Sequence, residues 1–415
     1  MINEILQEQY QERSFYLNYL KKYLGSPMVK VLIGQRRVGK SILLKQIIRY
    51  LVLEEGRNQD QIFYMNKEFP EYDTINSYQD LLDLLLPFVQ RQKGRFLITI
   101  DEIQEIEHWE KAINGILSKH APQAEIIITG SNSHLLSGEL ATLLSGRYLE
   151  IPVYPLSYDE LQTFTKAFET DQYFENYLQY GGLPGRFEMN QDNEVISHYL
   201  QSVYNTIVLK DIVTRFAVKN IDFFQTLYKY IFATIGNVFS AKNISDYLKS
   251  QHISMSVDSV LNYLSHGEDA FILYKVKSQD IKTKKIFSIY NKYYAGDIGL
   301  RNSIVGYQFA RDISGLLENI VFLWLKKYGF SIAIGRLPQG KEVDFVAEKN
   351  GRLIYIQVAT TILDPSTLKR EYSALESIDD NWEKYVVTMD KEFFGVRNGI
   401  KHSKIQDFEK ILASF

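Results

Sequence analysis

The chain has 415 residues, and its 47 Lys and Arg against 50 Asp and Glu leave a formal charge of −3, which excludes a protein drawn to polyanions by its overall balance. At about 100–200 residues per domain the length implies roughly two to four domains, and 45% hydrophobic with 13% aromatic residues fills several cores, which excludes disorder on a large scale. The lack of cysteine removes disulfides, thiolate metal sites and thiol nucleophiles together, so the chemistry must come from oxygen, nitrogen and backbone groups.

The opening run MINEILQEQYQERSFYLNYL is broken by charges every few residues and has no apolar core of a signal peptide. The apolar stretch 81–89 is far shorter than the ~20 residues of a membrane helix and contains Asp83. A soluble, cytoplasmic protein without a membrane partner is expected. From the start to about 165, apolar runs at 28–34, 62–66, 96–101, 125–130 and 148–154 alternate with helical patterns at 41–53, 77–92 and 108–119, the signature of a parallel α/β sheet. From 166 the pattern turns helical. Helices are predicted over 222–235, from Ser240 and from Ser256, each serine an N-cap, and strands at 270–276 and 285–290 follow; three helices and a hairpin describe a winged helix-turn-helix. The last hundred residues predict a helix at 313–328, strands near 330–334, 342–347 and 353–358, the last two joined by Lys349, Asn350 and Gly351, then a helix and a strand at 385–389.

The first strand runs into GQRRVGKS, a P-loop pattern with both glycines, the lysine and the hydroxyl in register. The spacing lets successive backbone N–H groups wrap the β-phosphate of ATP while the next helix presents its positive end. The nucleotide-binding set is Gly34, Gln35, Arg36, Arg37, Val38, Gly39, Lys40, Ser41 and Ile42, with at most one of the two arginines expected on phosphate. Lys40 is expected along the β- and γ-phosphates and Ser41 on Mg²⁺. The strand FLITID ends in Asp101, expected to hold Mg²⁺ through water, and Glu102, expected to deprotonate the attacking water; an acidic turn is the plainer alternative. After the next strand, Ser131 or Asn132 is placed to sense the γ-phosphate or, equally, to cap a helix. Arg147 is a candidate arginine finger, or a solvated arginine before an edge strand.

Together GQRRVGKS, FLITIDEIQ, TGSNSHLLSGELATLLSGRYLEIPVYPLSYDEL, GGLPG, NKYYAGDIGLRN and GLLENIVFLWL resemble the prokaryotic AAA+ ATPases that carry a C-terminal domain of unknown function, over nearly the whole chain. The resemblance implies an α/β multidomain protein: a P-loop ATPase core at 1–165, a helical lid at 166–220, a winged helix at 221–302 and an endonuclease-like α/β domain at 303–415. It also implies a self-associating protein. In endonuclease-like folds a helix glutamate, a strand aspartate and a Glu-x-Lys pair on the next strand assemble a Mg²⁺ site. Glu318 and Asp344 take the first two places, but Gln357 and Ala359 stand where the glutamate and lysine belong, so no nuclease activity is expected.

Between 275 and 301 stand Lys275, Lys277, Lys282, Lys284, Lys285, Lys292 and Arg301 against Asp280 and Asp297, a local +5. The hairpin lysines Lys275, Lys277, Lys282, Lys284 and Lys285 are candidates for DNA phosphate contacts without sequence readout, since the helix before them carries no Lys or Arg; a solvated hairpin edge blunted by lysine is the alternative. Two functions fit: an ATP-driven motor or remodeller on DNA, or a nucleotide-dependent signalling or defence switch that controls a protein partner.

Overall fold

The computed structural model describes residues 1–133, 144, 146–164, 170–189, 192–239, 241–250, 255–392 and 394–415. The chain divides into two compact units, one of Met1–Val153 with Asp269–Phe271, the other of Tyr154–Glu268 with Ile272–Phe415.

The first unit holds five parallel strands, β1 (Val29–Ile33), β2 (Ile62–Asn66), β3 (Phe96–Asp101), β4 (Ala124–Gly130) and β5 (Tyr148–Pro152), in the order β2-β3-β4-β1-β5. All residues of β1, β3 and β4 are buried, as a parallel sheet covered on both faces requires, and their Ile/Val/Leu-rich runs are the sequence form of that burial. Val31, Ile98, Ile100, Ile126 and Ile128 share one core with Leu81, Leu85 and Phe88 of the helix Tyr78–Gln90 and with Ala112, Ile113 and Ile116 of the helix Trp109–His120. Ser77 opens the first of these by a capping box, its hydroxyl accepting from Asp80 N–H while Asp80 accepts from the Ser77 N–H at 2.9 Å. The helix Lys40–Leu53 packs against β3 and β4.

Polar side chains also enter the sheet. Lys30 of β1 is fully buried and paired with Glu125 of β4, which also accepts from the Gly25 N–H at 2.6 Å. Burial pulls the Lys30 pKa down, against the pull of Glu125.

The second unit opens with helices Tyr158–Phe164, Thr170–Tyr180 and Asn193–Thr206. The helices Ile221–Ala233, Ala241–Ser250 and Val257–Asp269 follow as expected, with the Ser256 hydroxyl accepting from the Ser259 N–H at 3.1 Å; Ser240 lies outside the described residues. The hairpin β7 (Leu273–Asp280) and β8 (Ile286–Ala295) is present, but it is not a free wing. It belongs to a nine-stranded mixed sheet with β6 (Val238–Phe239), β9 (Ser331–Arg336), β10 (Glu342–Lys349), β11 (Arg352–Val358), β12 (Glu383–Thr388), β13 (Val396–Arg397) and β14 (Ile400–Lys404), in the order β13-β14-β12-β11-β10-β9-β7-β8-β6. β7 pairs in parallel with β9 through Ser278↔Ile334 and Gln279↔Gly335. The boundary drawn from sequence at 302 therefore falls inside one sheet, because the backbone edge of β7 is satisfied by a strand beyond it. The helix Phe309–Lys327 packs on β8 to β11. Among the described residues no helix is long and apolar enough to cross a membrane.

Candidate functional site

The order β3-β4-β1 brings three strand ends side by side. Ile33 lies beside Gly130 and Leu32 beside Thr129, while Ile100 lies beside Ile128, so Thr129 stands between the loop after β1 and Asp101. The loop at 34–41 then curls back on itself. A Cβ on Gly34 would lie 2.2 Å from the Val153 carbonyl, so only glycine fits there; Arg37 at φ 69° and Gly39 at φ 96° turn the chain left-handed before the helix Lys40–Leu53 begins. Lys40 is buried inside this curl, its ammonium donating to the Gly34 carbonyl at 2.8 Å and the Gln35 carbonyl at 3.0 Å. Both side-chain polar atoms of Gln35 are buried without a hydrogen-bond partner, which marks the cradle as polar and unsatisfied by the protein. Val38 is fully buried, Ser41 and Ile42 are half-buried, and the Arg36 guanidinium is held by Glu68 at 2.9 Å while Arg37 is exposed.

Asp101 is fully buried and accepts from the Thr129 hydroxyl, which in turn accepts from the Glu102 N–H at 3.0 Å. Its pKa is pushed up to about 6, by burial first and the neighbouring Glu102 second, against the Thr129 and Ser41 hydroxyls and Lys40. Asp101 Oδ2 has no protein partner. A buried carboxylate oxygen left over beside the Ser41 hydroxyl is a donor pair that fits a hydrated divalent cation, although among the described residues no three His, Asp or Glu side chains gather as a metal site. Glu102 takes the left-handed conformation at φ 54°, a turn that costs roughly 1–2 kcal/mol for a residue with a Cβ. Its carboxylate accepts from Gln104 Nε2, which also reaches the Ser131 hydroxyl at 3.4 Å. Ser131 and Asn132 are buried at the end of β4.

Residues 26–162, this whole arrangement, match a family described as AAA domain. An uncharacterized protein of Haemophilus influenzae is 35% identical over 380 residues, 91% of this chain and 92% of that one. The chain belongs to that protein's family and carries an AAA domain. An uncharacterized protein of Methanocaldococcus jannaschii is 30% identical over 316 residues, covering 73% of this chain and 67% of that one. Residues 171–310 match a domain of unknown function, DUF8612, so the matched domain of that kind lies in the middle of the chain and not at its end. Among solved structures, the chain is similar to the Aeropyrum pernix ORC2 protein (ADPNP-ADP complexes) at 14% identity and TM-score 0.40, over 72% of this chain and 97% of that one. It is also similar to the Aeropyrum pernix ORC1 protein in complex with DNA at 11% identity and TM-score 0.35, over 74% and 97%.

Two residues that no motif announces hold the site directly, one before the matched AAA domain and one inside it. Arg13, buried, donates to the Val38 carbonyl of the loop at 2.9 Å, and its own N–H is bonded to Gln46 of the following helix at 3.2 Å. Gln104 holds Glu102; only its place two residues beyond the acidic pair could have flagged it. Arg147 is not brought to the loop. It is exposed at the start of β5, where its carbonyl accepts from the Val29 N–H, so it stands at the end of the sheet away from Gly34.

Elsewhere, two sequence motifs prove to be one structural joint. Asp297 accepts from the Gly182 N–H at 2.8 Å and caps the helix Ile298–Val305 through Leu300 N–H at 2.9 Å, and a Cβ on Gly181 would strike its carboxylate. GGLPG and AGDIGLRN are thus adjacent because the glycines admit the aspartate. Of the seven cations counted between 275 and 301, two are not surface charge: Arg301 is buried against Asp312 at 3.0 Å, and Lys292 is buried among carboxylates. Asp297 is buried as well. The accessible charge is five lysines against Asp280, or +4, with Lys277, Lys282, Lys284 and Lys285 exposed and Lys275 half-buried. The expected +5 shrinks because a sequence count cannot separate ion pairs inside a fold from charge at its surface.

The C-terminal sheet gathers Glu318 from the helix Phe309–Lys327, Asp344 from β10 and Gln357 from β11 along one cavity of about 620 Å³, with Ala359 and Glu342 also lining it. An amine enters this cluster from β8: the Lys292 ammonium lies 2.7 Å from Glu318, 2.7 Å from Glu342 and 3.3 Å from Asp344. Asp344 is pushed up to about 7 by burial and then by Glu318, with Lys292 opposing.

Proposed function

We propose that the chain binds and hydrolyses ATP in the cradle of residues 34–42 and acts on DNA with the energy released. The observation that carries this reading is the alignment of Lys40, Thr129, Asp101 and Glu102 across three adjacent strand ends. The loop N–H groups and Lys40 neutralise the phosphates of the bound nucleotide, and Arg13 fixes the loop by its bond to Val38. Ser41 and Asp101 would hold Mg²⁺, which supplies charge neutralisation of the β- and γ-phosphates when bound. Glu102 takes the proton of the attacking water; Gln104 donates to Oε2 and leaves the other carboxylate oxygen for that proton. Ser131 or Asn132, both buried just after β4, takes the role of γ-phosphate sensor in this reading. The C-terminal unit does not cleave DNA in this reading, since Gln357 is neutral and the Glu371 carboxylate that also lines the cavity is held by Arg370 at 2.6 Å.

A switch acting on a protein partner is the second reading, and one observation favours it: the hairpin that bears the lysines is built into a sheet on both sides. ATP turnover measured with and without duplex and junction DNA, at low and physiological salt, separates the two. Stimulation by DNA is the expected result; lack of any DNA binding at low salt leaves only the switch. Glu102→Gln is expected to bind ATP normally and to lose hydrolysis by about 10²-fold or more, and Lys40→Ala to lose binding. Parent-like turnover by Glu102→Gln would remove Glu102 from its role.

A further inference from the structure

We infer that Lys292 is the resident cation of the cavity in the C-terminal sheet, its ammonium filling the space among Glu318, Glu342 and Asp344 so that the three carboxylates form no metal site. An ammonium has three N–H donors, and here three carboxylates meet it at 2.7, 2.7 and 3.3 Å, one for each. The Lys292 side chain is 4% exposed and Glu318 and Asp344 are nearly as buried, while Glu342 is 24% exposed at the cluster's edge.

Further donors reach the same three carboxylates, at the oxygen shared with Lys292 in Glu318 and at the second oxygen in Glu342 and Asp344. Tyr294 O–H donates to Glu318 Oε1 at 2.6 Å, Arg336 holds Glu342 Oε2 at 3.0 Å, and the Val358 N–H donates to Asp344 Oδ2 at 2.9 Å. A divalent ion entering here would have to expel a buried ammonium and break three ion pairs at once, leaving that ammonium uncompensated. The cluster therefore ties β8, β10 and the helix Phe309–Lys327 together without metal. The two replacements at Gln357 and Ala359 fit the same arrangement: with the cation fixed in the chain, neither a further metal-binding carboxylate nor a lysine on β11 has a task. This inference stands apart from the nucleotide reading and does not need ATP to be hydrolysed.

The test is Mn²⁺ titration of the nucleotide-free full chain, followed by the electron paramagnetic resonance of free Mn²⁺, for the parent, Asp344→Asn, Lys292→Met and the double variant. The parent and Asp344→Asn are expected to bind alike, whatever Mn²⁺ either takes elsewhere. Lys292→Met is expected to gain one equivalent of bound Mn²⁺, weakened about tenfold or more when Asp344→Asn is added. A site in the parent that Asp344→Asn abolishes would overturn the inference, and this arm decides even if Lys292→Met does not fold. A folded Lys292→Met that binds no more Mn²⁺ than the parent would overturn it too.

Discussion

Asp101 carries its charge at a cost set by its surroundings: burial and the adjoining Glu102 push its pKa up to about 6, above the usual carboxylate value near 4. Between those two values the folded chain holds a proton that the unfolded chain has released, so stability falls as pH rises through the window and levels off above about 6. Asp101→Asn removes this titration while keeping an acceptor for Thr129. Its stability relative to the parent, from urea midpoints without nucleotide, is expected to rise between pH 4 and 6 by up to about 3 kcal/mol and then hold steady. A difference that stays flat across pH 4 to 7 would contradict the assignment. The same residue shows what sequence can and cannot disclose. The strand FLITID announces an acidic residue at its end, but the Thr129 hydroxyl that binds it, and the Gln104 amide that binds Glu102, come into view only once β3 and β4 lie side by side.

The lysine hairpin between β7 and β8 is closed by Asp280, which accepts from the Thr283 N–H at 2.7 Å and leaves Lys282, Lys284 and Lys285 pointing away from the sheet's interior as exposed residues. If these with Lys275 and Lys277 neutralise DNA phosphates, replacing all five by Gln is expected to weaken DNA binding at low salt and to reduce the slope of log affinity against log salt by up to about 4.5, at about 0.9 per phosphate contact. ATP binding without DNA should not change. An unaltered slope would mean that the hairpin is only a protected edge. Regular elements were legible here: β2 and β3 occupy the predicted runs, and the helix Tyr78–Gln90 starts at its Ser77 cap. The two-residue strands β6 and β13 and the helix Ile298–Val305 were not, because two-residue strands have no period and the Ile298 helix owes its start to Asp297, which also bonds Gly182, far away in sequence. Lys292 was miscounted for the same reason: its partners lie on β10 and on the helix Phe309–Lys327.

For the protein as a working unit, a role for Arg147 as an arginine finger would require a second chain at each catalytic site. Arg147 sits before β5, the length of a five-residue strand or about 16 Å from the loop at Gly34, and it can serve as an arginine finger only for another copy. Arg147→Ala and Lys40→Ala are each expected to lose most ATP turnover, and mixing the two is expected to restore part of it, as Lys40→Ala chains lend their Arg147 to sites with an intact loop. No recovery on mixing, with both variants folded, removes Arg147 from the site. The parallel pairing of β7 with β9 bears on how the protein can be dissected. A fragment ended at 302 would keep the hairpin and the three helices before it, yet strip the end of β7 of its partners at 334–336 and leave exposed N–H and C=O groups, a template on which a second fragment can add its own strand. The expected form of such a fragment is an aggregate, and the smallest soluble piece that retains the lysines must also retain the C-terminal sheet.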